Sequence, residues 1–258
     1  MNGDPKQFAR EIFSVAKTSI PSGREIAKIA IDEIFKAYGD DLEKIKANAS
    51  TIVASVQSRA YEIYLSYEAS ASAAALKQAI SAQLPPGATS NDLFEYMAEN
   101  FAIFDKFFLS LTQSRKPRAG SAFEDVVSAL LQSLGYPFTP QPELAESRPD
   151  YVLPSIEYYN SYAADCIIFT CKRTLRERWR QVVTEGGTGQ SFFLGTIDEK
   201  LTSDELSKMK DRRVIVVVPK EVEETKYAKY ANVISFERFF LHHLDPAMAR
   251  WKAGGIVS

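Results

Sequence analysis

The sequence predicts an α/β protein in which an α-helical N-terminal region precedes an α/β/α core with a central mixed sheet. Apolar residues recur at helical spacing up to about residue 135, whereas short apolar runs alternate with helical patterns after residue 150. The run Val214–Val218 is apolar throughout, which is typical of a strand buried on both faces. We therefore expect the helical region at residues 1–112 and the core at residues 113–258.

The composition is that of a globular protein, since 45% of the 258 residues are hydrophobic and 25% are charged. The formal net charge of -2 gives no general attraction to a polyanion, so nucleic-acid binding would depend on local clusters. Cys166 and Cys171 fit neither a metal knuckle nor a disulfide framework and are expected to be reduced thiols. No apolar run approaches the roughly 20 residues of a membrane span, and no signal pattern opens the chain. We expect a soluble, intracellular protein.

Helices are predicted throughout the N-terminal region. Ser22 and Glu25 match a capping box at the start of one helix, and Pro85–Gly87 is the clearest break. A long helix is predicted from Ser90 to Leu111. It carries a stripe of large apolar residues that we expect to be buried in the core: Phe94, Met97, Phe101, Phe104, Phe107 and Phe108.

Residues 113–120 are predicted to form a polar, basic linker. Three of its side chains have no acid close to them in the sequence: Arg115, Lys116 and Arg118. The segment is therefore either a solvated loop or a contact to phosphates. A new helix is predicted to begin at the capping-box pair Ser121 and Glu124 and to end at Gly135.

The core elements follow in alternation. Strands are predicted at residues 151–153, 164–171, 192–194, 214–218 and 232–235. Helices are predicted at residues 174–185, 203–210 and 236–242. Such alternation favours a mixed sheet that helices cover on both faces.

Two charged residues mark the ends of predicted strands. Asp150 begins one strand, and Lys172 ends the next, 22 positions later, so a hairpin can bring both to one sheet edge. Phosphodiester hydrolysis needs a hard cation held by carboxylates and a positive group near the scissile phosphate. Many strand pairs contain an acid and a lysine by chance, so the pair alone is a weak signal.

A second acid is needed to complete such a site. In the common nuclease arrangement it lies two residues before the lysine, where this sequence has Thr170. Glu185 can replace it if the helix after Lys172, about three turns long, returns over the sheet edge. The alternative is that Glu185 is a surface acid that precedes the stop at Gly186–Gly187.

The segment from Lys172 to Arg180 carries five basic residues and one acid. Thr174 and Glu177 match a capping box, so the glutamate has an ordinary helix-capping role open to it. Like charges packed into one turn destabilise a helix unless an anion is close. Arginine can bond guanine O6 and N7, and glutamate can accept from cytosine N4. The helix therefore either reads a G·C pair or presents a solvated basic face.

This part of the chain resembles the type II restriction endonucleases of the EcoRII, SsoII and PspGI kind. The resemblance is carried by Pro149–Asp150, Lys172–Val182 with Glu185, Arg115–Glu124 and Val216–Pro219. It covers roughly residues 113–240. It implies a restriction-endonuclease-like fold of the PD-(D/E)xK superfamily in which the helix supplies the second acid.

The resemblance also implies roles for particular residues. Asp150 and Glu185 would be ligands of Mg²⁺, and Lys172 would be the catalytic lysine. Glu124 would be a further active-site acid. The base-reading residues of a CCGG-type half-site would be Arg176, Glu177 and Arg178. Contacts to the DNA backbone are expected from Arg115, Lys116, Arg118, Arg173 and Arg180.

The family includes enzymes that cut CCNGG or CCWGG as homodimers and flip the central base pair into protein pockets, at a cost of a few kcal/mol of unstacking. We expect that pocket in the N-terminal helices, with Arg59, Tyr61 and Tyr64 as candidates because an aromatic ring can stack on a base. The chain length favours a dimer without the effector domain of EcoRII. A cognate DNA methyltransferase is the implied genetic partner, in a prokaryotic cytoplasm.

The predicted function is Mg²⁺-dependent, site-specific hydrolysis of double-stranded DNA. One alternative is a repair or junction nuclease of the same fold, which would read structure and would not need base-reading residues. The other is a DNA-binding or dimerisation module without catalytic activity.

Overall fold

The structure, a computed structural model, describes residues 5–144, 148–175 and 191–257. The chain divides into two compact units, Met1–Ala30 with Gln57–Ala122 and Ile31–Val56 with Phe123–Ser258. Several predicted site residues lie outside the described part: Arg176, Glu177, Arg178, Arg180, Glu185 and the side chains of Lys116 and Arg118. Their roles stay predictions.

The first half of the chain is helical, as predicted. Its helices are α1 (Pro5–Thr18), α2 (Gly23–Lys36), α3 (Leu42–Ala47), α4 (Ala49–Ser81), α5 (Ser90–Glu99) and α6 (Phe101–Ser133). The predicted capping box before α2 is present, since Ser22 N donates to Glu25 Oε2 at 2.8 Å and Glu25 N donates to Ser22 Oγ at 3.3 Å. After α6, Gly135 has a φ of 72°, which glycine adopts without a steric penalty.

A six-stranded mixed sheet lies at the centre of the second unit. Its strands are β1 (Thr139–Pro140), β2 (Tyr151–Leu153), β3 (Ile167–Cys171), β4 (Ser191–Gly195), β5 (Val214–Val218) and β6 (Val233–Ser235), in that spatial order. The first three strands pair antiparallel, and the pairs from β3 to β6 are parallel. The predicted mixed sheet is confirmed.

Both faces of the sheet are buried, because alternate residues of each strand point to opposite sides. One face contributes Ile168 and Val216 to an apolar cluster that also contains Leu206 and Met209. On the other face the Phe239 ring lies 5.0 Å from the Phe169 ring, centroid to centroid. The predicted α/β/α arrangement follows from this two-sided burial.

The helices that the structure describes in the second half are short. They are α7 (Ile156–Tyr162), α8 (Ser203–Asp211), α9 (Lys220–Val222), α10 (Phe236–Phe239) and α11 (Asp245–Ala253). Two π-helical segments, Glu223–Tyr227 and Phe240–Leu244, extend α9 and α10. Among the helices of the described residues, none has both the length and the apolar character needed to cross a bilayer.

Residues 113–120 are not a linker. They lie inside α6, which continues without interruption from Phe101 to Ser133, so no helix begins at Ser121. Pro117 and Gly120 suggested a break because both lower helix propensity, but packing along a helix often overrides such local preferences. The predicted boundary at residue 112 therefore falls within a continuous helix.

The apolar stripe of α5 and α6 is mostly exposed, which corrects the prediction that it is core. Only Phe107 of the six residues is fully buried, and it packs with Ile12 and Ile103 in a cluster of the first unit. Phe94 and Phe101 are 66% and 72% exposed. The buried face of α6 in this unit is formed by Ile103, Phe107 and Leu111, so the spacing of the large apolar residues did not identify the face that the chain covers.

Candidate active site

Asp150 and Lys172 meet at one edge of the sheet. The register of β2 and β3 pairs Tyr151 with Phe169, which places Asp150 beside Thr170 and Cys171. Asp150 Oδ2 accepts hydrogen bonds from Thr170 Oγ1 at 2.9 Å, Cys171 N at 2.6 Å and Lys172 Nζ at 3.4 Å. The Asp150 side chain is 13% exposed and that of Lys172 is 29% exposed. The hairpin predicted from their spacing therefore brings the two groups together.

The three donors on a single oxygen orient the Asp150 carboxylate. Thr170, noted in the sequence only as a missing acid, here supplies one of these donors. The strand carries the threonine hydroxyl, the amide of Cys171 and the ammonium of Lys172 as neighbours. An oriented carboxylate next to a lysine can hold a cation and act on a phosphate at the same place.

The position of Lys172 also depends on β4. Its backbone N donates to Gly195 O at 2.9 Å, which continues the β3–β4 pairing by one residue. A Cβ atom at Gly195 would lie 2.7 Å from the ring of Phe169, so only glycine allows this close approach. The packing of β4 thereby fixes the backbone of the catalytic-lysine candidate.

Glu124 lies on α6 in the same neighbourhood. Tyr151 Oη donates to the backbone oxygen of Glu124 at 2.8 Å, which ties α6 to the start of β2. Burial raises the pKa of the Cys171 thiol well above its usual value, and the charges of Asp150 and Glu124 add to this effect. Glu124 and Asp150 thus lie on two elements, α6 and the start of β2, that Tyr151 joins.

Arg115, a predicted contact to the DNA backbone, lies in the first unit. Arg115 donates from Nε to Glu68 Oε2 at 2.9 Å, although its sequence suggested no acidic partner. Glu68 is buried, and it also accepts from the hydroxyl of Tyr64. The hydrogen bond from Arg115 to Glu68 raises the pKa of the Arg115 guanidinium. Arg115 is thus part of a partly buried polar network with Glu68 and Tyr64.

The candidates for a flipped-base pocket all lie on α4. Tyr61 is 47% exposed, whereas Tyr64 is buried. Arg59 forms an exposed ion pair with Glu62 at 3.1 Å. The burial of Tyr64 leaves Tyr61 as the exposed ring of the predicted pair.

Two further residues that the sequence analysis did not identify bind the segment after Lys172. Asp198, in the loop after β4, accepts from the backbone N of Leu175 at 2.9 Å, and Thr196 donates to the backbone oxygen of Arg173 at 3.3 Å. The available signal was their position directly after a buried strand. In the part of the chain that the structure describes, no cluster of three or more His, Cys, Asp or Glu residues is arranged to hold a metal.

The sequence model of the EcoRII C-terminal family matches residues 87–240, more than half of the chain. The chain belongs to the EcoRII C-terminal family. The family predicted from the sequence is therefore confirmed, and the match contains Glu124, Asp150, Lys172 and Glu185.

Two relatives are similar to part of this chain. The type II restriction enzyme SsoII of Shigella sonnei is 31% identical over 140 residues, which are 50% of this chain and 46% of that enzyme. The type II restriction enzyme EcoRII of Escherichia coli is 24% identical over 153 residues, 56% of this chain and 37% of that enzyme. The matched regions thus span less than half the length of either relative.

Solved structures confirm the restriction-endonuclease-like fold of this EcoRII C-terminal family member. Metal-depleted Ecl18kI in complex with uncleaved, modified DNA superposes with a TM-score of 0.79 at 22% identity, covering 99% of this chain and 87% of Ecl18kI. The complex of the restriction endonuclease PspGI with substrate DNA gives a TM-score of 0.59 at 22% identity, covering 92% and 96%.

Proposed function

We propose that the protein is a type II restriction endonuclease that cuts double-stranded DNA at a short palindromic CC-GG-type site, CCNGG or CCWGG. The observation that carries the proposal is the contact between Asp150 and Lys172 at one sheet edge, in a chain of the EcoRII C-terminal family. The predicted base-reading residues begin four positions after Lys172 in the sequence. Cleavage and recognition would therefore share one stretch of chain.

Asp150 fits a ligand of Mg²⁺, because this cation prefers carboxylate oxygens and the side chain is partly open to solvent. Asp150 would hold the metal together with Glu185 as the second acid. A bound Mg²⁺ would offset the charge that develops on the phosphate oxygens. Lys172 would position or polarise the attacking water and stabilise that charge. Glu124 would serve as a further acid.

Recognition is proposed to come from Arg176, Glu177 and Arg178, by forked hydrogen bonds to the G·C pairs. The central base pair would be flipped into a pocket that includes Arg59 and Tyr61. Contacts to the DNA backbone are proposed for a set of basic residues: Lys116, Arg118, Arg173 and Arg180. Arg115 contributes to that set only if DNA binding releases it from Glu68.

The proposed assembly is a homodimer, since a palindromic site presents the same bases to two symmetry-related copies. We propose that residues 1–112 contribute to dimerisation and DNA contact, and residues 113–258 to cleavage. A nuclease with so short a site would also cut the genome that encodes it. A DNA methyltransferase of the same specificity is therefore the proposed genetic partner, and both would act in the cytoplasm.

The test is incubation of the protein with plasmid DNA that carries CCNGG sites, with Mg²⁺ or with EDTA. Discrete fragments that need Mg²⁺ support the proposal. Random nicking would favour a structure-reading nuclease, and a mobility shift without cleavage would favour a binding module.

The Lys172→Ala variant is the matched control for contamination by another nuclease. We expect it to bind the plasmid but to lose at least 100-fold in cleavage rate, as for loss of a charge-stabilising group in other active sites. A Lys172→Ala protein that cuts at the wild-type rate would refute the assigned role of the lysine.

A further inference from the structure

Asp198 is a buried carboxylate in the loop between β4 and α8, and its two oxygens bind two different segments. Oδ2 accepts from the backbone N of Leu175 at 2.9 Å, and Oδ1 accepts from the backbone N of Lys200 at 3.0 Å. The residue is only 9% exposed. A carboxylate that accepts backbone N–H groups in a buried place holds them firmly, because an unsatisfied partner there is costly.

Leu175 is held by its side chain as well. It is fully buried and belongs to the same apolar cluster as Leu194 and Leu201. Both the backbone N–H and the side chain of this residue are therefore fixed. Arg176 follows it directly in the sequence.

A second contact from the same loop holds the chain just before Leu175. The hydroxyl of Thr196 donates to Arg173 O at 3.3 Å and accepts from Asp198 N at 3.1 Å. Thr196 is fully buried. Together with the bond from Lys172 N to Gly195 O, these contacts hold residues 172, 173 and 175 against the end of β4 and the loop that follows it.

We propose that Asp198 is a positioning residue for base reading. It fixes the backbone of Leu175, the residue directly before Arg176 in the sequence, relative to Asp150 and Lys172. The inference rests on the proposed function, because it assumes that residues 176–178 read bases. A forked contact between arginine and guanine needs both hydrogen bonds at once, and a displacement of about 1 Å can cost 100-fold in a positioned interaction. Asp198 itself does not contact DNA in this proposal.

The test compares Asp198→Asn with a control variant that removes one negative charge from the surface groove that Asp198 lines. The amide keeps the size of the side chain but presents an N–H to one of the two backbone donors. Glu205 lines the groove together with Asp198, Arg173 and Lys200, and it caps α8 by accepting from Thr202 N at 2.7 Å. Glu205→Gln therefore controls for the loss of negative charge.

Equilibrium binding is measured by fluorescence anisotropy in EDTA, with one duplex that contains CCNGG and one in which the outer G·C pairs are exchanged for A·T. The readout is the specificity ratio, which is the dissociation constant for the exchanged duplex divided by that for the CCNGG duplex. We expect Asp198→Asn to lower this ratio about tenfold by weakening cognate binding, the size of one lost base contact. The affinity of Asp198→Asn for the exchanged duplex should stay near the wild-type value. The specificity ratio of Glu205→Gln should also stay near the wild-type value.

A wild-type ratio for folded Asp198→Asn would overturn the inference, as would an equal loss in Glu205→Gln. If Asp198→Asn does not fold, Thr196→Val tests the same link with an isosteric change, and a wild-type ratio there would overturn it instead. A wild-type protein that binds both duplexes equally would overturn the proposed function itself. The two failures are thereby distinguished.

Discussion

At the scale of the residue, the site depends on how one carboxylate is held. Asp150 uses a single oxygen to accept from the hydroxyl of Thr170, the amide of Cys171 and the ammonium of Lys172. The threonine that occupies the usual place of a second acid thus acts on the first acid. Its role could not be read from the sequence, since the hydroxyl becomes important only through the register of β2 against β3.

Arg115 gives a prediction at the same scale. Arg115→Ala leaves the buried carboxylate of Glu68 without its cation, so the protein should be less stable even without DNA. Breaking a fully buried pair costs about 3–5 kcal/mol, and because the Arg115 side chain is 37% exposed we expect about 2 kcal/mol. Urea unfolding followed by circular dichroism measures the change in the free energy of unfolding.

The control for Arg115 is Arg59→Ala on α4. The Arg59 and Glu62 side chains are 41% and 64% exposed, so their ion pair should contribute about 0.5 kcal/mol or less. If Arg115→Ala keeps its full stability and instead loses DNA affinity, the arginine is a phosphate contact, as its sequence suggested.

At the scale of the element, the pairing of β3 with β4 supports both the lysine and the loop that contains Asp198. Gly195→Ala would place a Cβ atom 2.7 Å from the buried ring of Phe169. We expect a loss of about 1–3 kcal/mol in the free energy of unfolding, as for other overpacked cores. Cleavage should slow as well, because Gly195 O accepts from Lys172 N.

Gly254→Ala is the matched control for that substitution. A Cβ atom there meets no atom closer than 3.4 Å, so we expect a change within about 0.5 kcal/mol. Equal free energies of unfolding for the two variants would contradict the role assigned to the close approach of β4 and Phe169.

The sequence predicted some elements well and others badly, for physical reasons. Val214–Val218 was found because a strand buried on both faces must be apolar throughout. A linker is predicted at residues 113–120 because Pro117 and Gly120 lower helix propensity, but the backbone of α6 continues through them from Phe101 to Ser133. The contact of Asp198 with Leu175, 23 residues away, could not be predicted, because a position directly after a buried strand does not identify the partner.

At the scale of the whole molecule, the exposed apolar face of α5 and α6 gives a prediction about assembly. Phe101 and Phe108 are 72% and 53% exposed and lie seven residues apart, on one side of α6. Monomeric proteins rarely expose such a face, and a palindromic DNA site calls for a second copy of the chain. We therefore expect this face to contribute to the homodimer.

Sedimentation of Phe101→Ser combined with Phe108→Ser tests this assignment. The dimer dissociation constant should rise at least tenfold, since buried aromatic residues contribute strongly to interfaces. Leu241→Ser, which changes a residue that is 55% exposed on the second unit, should leave it unchanged. A wild-type dissociation constant for the double variant would remove this face from the dimer interface.

The central claim is that a site held by Asp150 and Lys172 cuts DNA at a chosen sequence. The most direct measurement is a digest of random-sequence DNA with Mg²⁺, followed by sequencing of every fragment end. We expect the ends to share a palindrome with outer CC and GG, and Lys172→Ala to produce no such ends. Ends without a common sequence, or identical ends from Lys172→Ala, would contradict it.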